Sequence, residues 1–99
     1  MLHILRHSPQ TDNRFASCLR VLASRQGLLL MEEAVYALLP HSPPVSRLEL
    51  LPNSVRLYAL ESDIQARGLA LDDLPARVQV VDYDAMVSLC AEHSKVVSW

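Results

Sequence analysis

Two cysteines, Cys18 and Cys90, are the only thiols in the chain and its strongest potential nucleophiles. A thiol attacks or carries sulfur as its thiolate, and a neighbouring cation favours that form. Cys18 stands in RFASCLRVL (14–22), which reads as part of an amphipathic helix. With Phe15 at zero and steps of about 100° per residue, Leu19 and Leu22 lie close to Phe15, and Cys18 falls about 60° to one side. That places it on the flank of the apolar stripe, at the border of the core, with Arg14 one turn earlier at i−4. Cys18 is therefore a candidate sulfur carrier supported by Arg14, set against the plainer reading of a small apolar side chain. Cys90 shares a stripe with Tyr83, Met86 and Val87 in the last helical segment and reads as core.

Other chemistry-bearing residues support no second site. His3 and His7 share a side if the first strand extends that far, yet no third ligand stands at a metal-binding spacing. His3 reads as a packed strand residue, and His7 as a possible contact for a partner or substrate at the functional end of the sheet. Asp82 and Asp84 resemble half of a carboxylate cluster, but the first strand is followed by HSP rather than acids, which counts against a receiver-like module. Asp82 is better read as a helix cap. Gly27 and Gly68 have turn roles, with no glycine-rich phosphate loop, so neither a metal nor a nucleotide cofactor is expected.

Elements that would position these residues follow from composition and periodicity. The 99 residues are 51% hydrophobic and 20% charged, with net charge −2, which fits one globular domain over 1–99 and excludes a chain that binds nucleic acid through its own field. No segment approaches the ~20 apolar residues of a membrane span, no secretory signal is visible, and a cytoplasmic location with free thiols is expected. LHILR (2–6) predicts a strand, 13–25 a helix, LLLM (28–31) a buried strand and EEAVYALL (32–39) a helix ended by PHSPP. Residues 45–54 are ambiguous. VRLYAL (55–60) predicts a strand, ESDIQAR (61–67) a helix ended by Gly68, VQVV (78–81) a strand, 83–93 a helix behind Asp82, and KVVSW (95–99) a fifth strand. The expected fold is a three-layer α/β/α domain with a mainly parallel sheet of about five strands and right-handed crossovers. Tyr36, Leu38 and Leu39, together with Val96, Val97 and Trp99, exceed what one core needs and suggest a permanent subunit interface.

MLHILRHSP (1–9), LLLMEEAVYALL (28–39), VRLYALESDIQARGL (55–69), VQVVDYDAMVSLCAEH (78–93) and VVSW (96–99) together resemble the TusB/DsrH family of small sulfur-relay subunits, nearly end to end. Each piece is weak alone; the combination is specific. The resemblance implies a DsrE-like fold and a largely structural, non-enzymatic subunit that joins TusC-like and TusD-like subunits in a heterohexamer. Such a complex takes persulfide sulfur from a TusA-like donor to a TusE-like acceptor for 2-thiouridine formation at the tRNA wobble position, with the principal carrier cysteine on the TusD-like subunit. From the residues themselves no cofactor, no direct nucleic-acid contact and no membrane are expected, and His7, Tyr36 and Trp99 are possible partner contacts. In the sulfur-oxidising branch the equivalent subunit carries a first-helix cysteine in a context like Ser17-Cys18-Leu19, so a DsrH-type role with Cys18 as active carrier stays open. One departure is Glu33-Ala34 where the family often has an acid followed by glycine, which bears on close backbone approach there but not on the fold.

Overall fold

Short runs of leucine and valine with no room for a surface helix form the strands, the run at 27–30 being buried throughout. In the computed structural model, which describes residues 1–99, they are β1 (Leu2–Leu5), β2 (Gly27–Leu30), β3 (Arg56–Leu60), β4 (Val78–Val81) and β5 (Val96–Ser98). The order across the sheet is β4-β3-β2-β1-β5, and every neighbouring pair is parallel. The expected five-stranded α/β arrangement is present, fully rather than mainly parallel.

Register sorts the side chains into two layers. Leu5, Leu28, Leu30, Leu57, Ala59 and Val78 belong to a 15-residue buried cluster with Phe15, Cys18, Ala34, Val35, Ala37, Leu38, Leu48, Val55 and Ile64. That face is covered by α1 (Arg14–Val21), a 3₁₀ segment at Glu32–Leu38, α2 (Pro43–Glu49) and α3 (Glu61–Ala66). On the opposite face only four residues, Leu2, Leu29, Leu60 and Val81, form a buried cluster, beneath a single helix, α4 (Tyr83–Glu92). Connections stepping from β1 to β4 use the first face and the return to β5 uses the second, as one constant crossover hand requires. The result is a lopsided molecule.

Several local features differ from the periodicity. The first helix stops at Val21 rather than 25: Leu22 is extended, Arg25 takes φ 68°, and the Gln26 side chain accepts the Ala23 N–H at 3.0 Å. Gly27 is no turn residue but the buried first residue of β2, where an added Cβ would meet Leu2 Cδ1 at 3.0 Å. Glu32–Leu38 is 3₁₀ rather than α; with three residues per turn, Ala34/Ala37 and Val35/Leu38 stack in two buried rows, leaving Glu33 and Tyr36 on the outer one. Ala34 is buried without left-handed backbone, so its methyl fits where glycine is common. Of the ambiguous 45–54, the part up to Glu49 is helical: α2 begins already at Pro43, within PHSPP, with prolines in its first turn, where their missing N–H groups are harmless, and a turn follows it. Gly68, at φ 73°, terminates α3 as expected. Asp82 caps α4 by accepting the Ala85 N–H at 2.8 Å.

Arg77 holds α2 and its exit turn in place. Its Nη1 donates to the carbonyls of Leu48 (3.2 Å), Glu49 (3.2 Å) and Leu51 (2.8 Å), and its Nη2 to Pro52 (2.9 Å) and Val55 (3.1 Å). These include carbonyls that the end of a helix leaves without partners.

Candidate functional site

Cys18 lies inside the molecule, not at its edge. Its exposure is 0%, and burial pushes the thiol up from 9.0 to about 12. Arg14 does not offset this, because its Nη1 is 2.6 Å from Asp12 Oδ2, with its backbone N–H on Asp12 Oδ1 at 2.9 Å. A thiol with that ionisation is deprotonated to an extent on the order of 10⁻⁵ at neutral pH. The expectation of a border thiol supported by Arg14 is corrected on both counts. Cys90, expected in the core, is half-buried: α4 contains no fully buried residue. Both thiols are free.

The two histidines part company because β1 ends at Leu5, leaving His7 half-buried in the following bend. His3 is buried and fully bonded. Trp99 Nε1–H donates to its Nδ1 at 3.2 Å, which makes Nε2 the protonated nitrogen that donates to Gln26 Oε1 at 2.8 Å. This chain of bonds ties the residue after β5 to β1 and to the turn before β2. Trp99 is half-buried and packs on the larger cluster, so its indole N–H already has an internal partner. Tyr36 is half-buried on the outer row of the 3₁₀ segment.

At the carboxyl ends of β1, β2 and β3, where α/β sheets place ligands, charges pair with one another. The Glu32 N–H, at a residue with φ 52°, donates to Asp63 Oδ2 at 2.7 Å. Arg67 reaches Asp63 Oδ1 at 3.4 Å and Glu33 Oε1 at 3.3 Å, while Arg6 lies 3.9 Å from Glu32. Asp63 and Arg67, at i and i+4 in ESDIQAR, are the part of this network that helix spacing makes readable. It locks the starts of the 3₁₀ segment and α3 together. No group of three or more His, Cys, Asp or Glu side chains is placed to hold a metal ion.

The second face of the sheet leaves apolar side chains uncovered. Ala85, Met86, Leu89 and Cys90 of α4 pack on Leu2, Leu29, Leu60 and Val81. Ser88 and Glu92 turn towards a groove of about 420 Å³ that they share with Tyr58 and Gln79. The helical period then sends Tyr83 and Val87 to the other flank, where they are 56% and 61% exposed. Met1, Val96 and Val97 are also exposed, and Ile4 and Met31 are only partly covered. Scattered apolar residues are ordinary on a surface, but a helix with an apolar flank beside an open apolar strand is a form that subunit contacts take.

Comparisons with known proteins agree with this architecture. The sequence profile of the family described as DsrH like protein matches residues 7–96. Protein TusB of Serratia proteamaculans is 37% identical over 100 residues, and Protein TusB of Buchnera aphidicola subsp. Baizongia pistaciae 33% over 99 residues, each match covering both chains completely. Among solved structures, the ychN protein from E. coli superposes with a TM-score of 0.81 at 19% identity, covering 99% of this chain and 97% of the other. The protein of unknown function MTH1491 from Methanobacterium thermoautotrophicum gives a TM-score of 0.73 at 22% identity over 99% and 96%. At those identities the structural matches establish the fold alone.

Proposed function

The chain belongs to the DsrH-like family, and on that premise we propose that it is a non-enzymatic, structural subunit of a TusBCD-type sulfur-relay complex in the cytoplasm. Its co-subunits are TusC-like and TusD-like chains in a heterohexamer. The complex receives persulfide sulfur from a TusA-like donor and passes it to a TusE-like acceptor for 2-thiouridine formation at the tRNA wobble uridine. The observation that carries the structural role is the lopsided fold: one face of the sheet is closed by three helices and a 3₁₀ segment, the other by α4 alone. An obligate partner covering Tyr83, Val87 and Val96 would complete the second layer, since permanent interfaces resemble a core cut in half.

Cys18 supports this reading by what it lacks. Sulfur transfer requires thiolate attack on a donor persulfide, and a fully buried thiol with its ionisation raised to about 12 has neither access nor charge. The DsrH-type alternative, with Cys18 as active carrier, requires α1 to open before each transfer.

Co-expression with TusC-like and TusD-like subunits from the same genome tests the assembly. The chain is expected to co-purify with both in fixed stoichiometry, and Val87→Glu to abolish co-purification, because a buried unpaired carboxylate in the contact is strongly unfavourable. A chain that stays monomeric beside them, or a Val87→Glu variant that assembles normally, contradicts the reading.

A further inference from the structure

The flank of α4 opposite Tyr83 and Val87 is polar. Here Ser88 and Glu92 border the groove of about 420 Å³ together with Tyr58 of β3 and Gln79 of β4, and Val81, Ala85 and Leu89 supply its apolar part. The side-chain hydrogen bonds around α4 are the Asp82 cap and the one from His93 Nδ1–H to the Leu89 carbonyl at 2.7 Å; Ser88 and Glu92 make none, and neither do Tyr58 and Gln79. Four polar side chains thus line one groove with their bonding capacity unused, as the polar groups of a binding site do before it is filled.

Charge narrows what fits. Glu92 is the one acid or base lining this groove, and the ion pairs of the chain leave it out, joining Arg6, Arg14 and Arg67 to Asp12, Glu32, Glu33 and Asp63. It is also the last residue of α4, whose final turn carries no basic side chain. Its carboxylate adds to the partial negative charge at the carbonyl end of the helix, and both favour a cation at that point. Gln79 and Ser88 offer further oxygen acceptors, and Tyr58 offers a ring face. A planar cation with several N–H donors matches that set better than a compact ammonium. Tyr58 and Gln79 also border an adjoining groove of about 220 Å³ with Arg56, which has no carboxylate within 4 Å. Arg77, on the same adjoining groove, is spent on backbone carbonyls. An unpaired acid and an unpaired arginine therefore stand in neighbouring grooves that share one wall.

We propose that the groove between β3, β4 and α4 takes an arginine side chain of a partner protein. Its guanidinium lies against Glu92, Gln79 and Ser88 beside the Tyr58 ring, and an acidic residue next to it in the partner answers Arg56. The charge-assisted bonds to Glu92 hold the cation, and Arg56 selects for the acidic neighbour. This rests on the groove itself and is independent of the sulfur-relay reading.

The test uses the full chain and two fluorescent hexapeptides, one with Arg-Glu at its centre and the other with citrulline in place of the arginine, which keeps the shape and removes the charge. Fluorescence anisotropy is expected to show saturable, salt-sensitive binding of the arginine peptide alone. Amide chemical shifts should move at Tyr58, Gln79, Ser88 and Glu92. Glu92→Gln should weaken binding by about tenfold and Arg56→Gln by about threefold; both side chains are exposed, and their replacement leaves the fold intact. No saturable binding, equal binding of the citrulline peptide, unchanged binding by either variant, or shifts confined to other parts of the chain would overturn the proposal.

Discussion

Cys18 shows how a helical wheel and a packed core answer different questions. The wheel gives a direction about 60° from Phe15; what stands opposite depends on α2 and the 3₁₀ segment, whose shapes the sequence left ambiguous or misassigned. With both in place the flank of α1 is interior, and Arg14 turns back to Asp12. The raised thiol has a consequence for stability. The unfolded chain loses this proton near pH 9.0 and the folded chain near 12, so above about 9 the unfolded state binds fewer protons and folding weakens as pH rises. Urea midpoints should therefore fall more steeply above pH 9 in the wild type than in Cys18→Ala, by up to ~1.4 kcal/mol per pH unit before other alkaline titrations are counted. Parallel alkaline limbs in the two proteins would mean that the thiol is not buried as described.

At the scale of elements, β4 and the cap of α4 were legible because local chemistry and tertiary placement agree: three of the four residues of VQVV are β-branched valines, and Asp82 stands where a cap is needed. The early end of α1 was not, since Arg25 rather than a glycine takes the left-handed turn and a side chain of Gln26 closes it. The clamp by Arg77 was equally hidden, because five carbonyls from Leu48 to Val55 converge on one guanidinium only after the chain folds. Arg77→Lys keeps the charge but not the planar fork. It is expected to lower stability by about 2 kcal/mol and to speed amide exchange around residues 48–55 without altering exchange in β1. Uniform loss of protection across the sheet, or no loss at all, would show that α2 is held by packing alone.

For the whole molecule, the parallel sheet of about five strands, the layers and the family resemblance were readable from strand runs and motifs, while the strand order and the uneven covering of the two faces were not. That unevenness is a sum over register and helix placement, and Tyr83 and Val87 look like any other apolar helix residues until α4 is seen crossing the second face almost alone. On the proposed function, such a subunit would finish its second layer with a partner and leave the sulfur chemistry to it. The most direct check is native and peptide-level mass spectrometry of the co-expressed complex after loading with a persulfide donor. The account predicts this chain in fixed stoichiometry with its co-subunits, both Cys18 and Cys90 at their unmodified masses, and added sulfur on a partner cysteine. Added sulfur on Cys18, or a chain that never enters the complex, would contradict it.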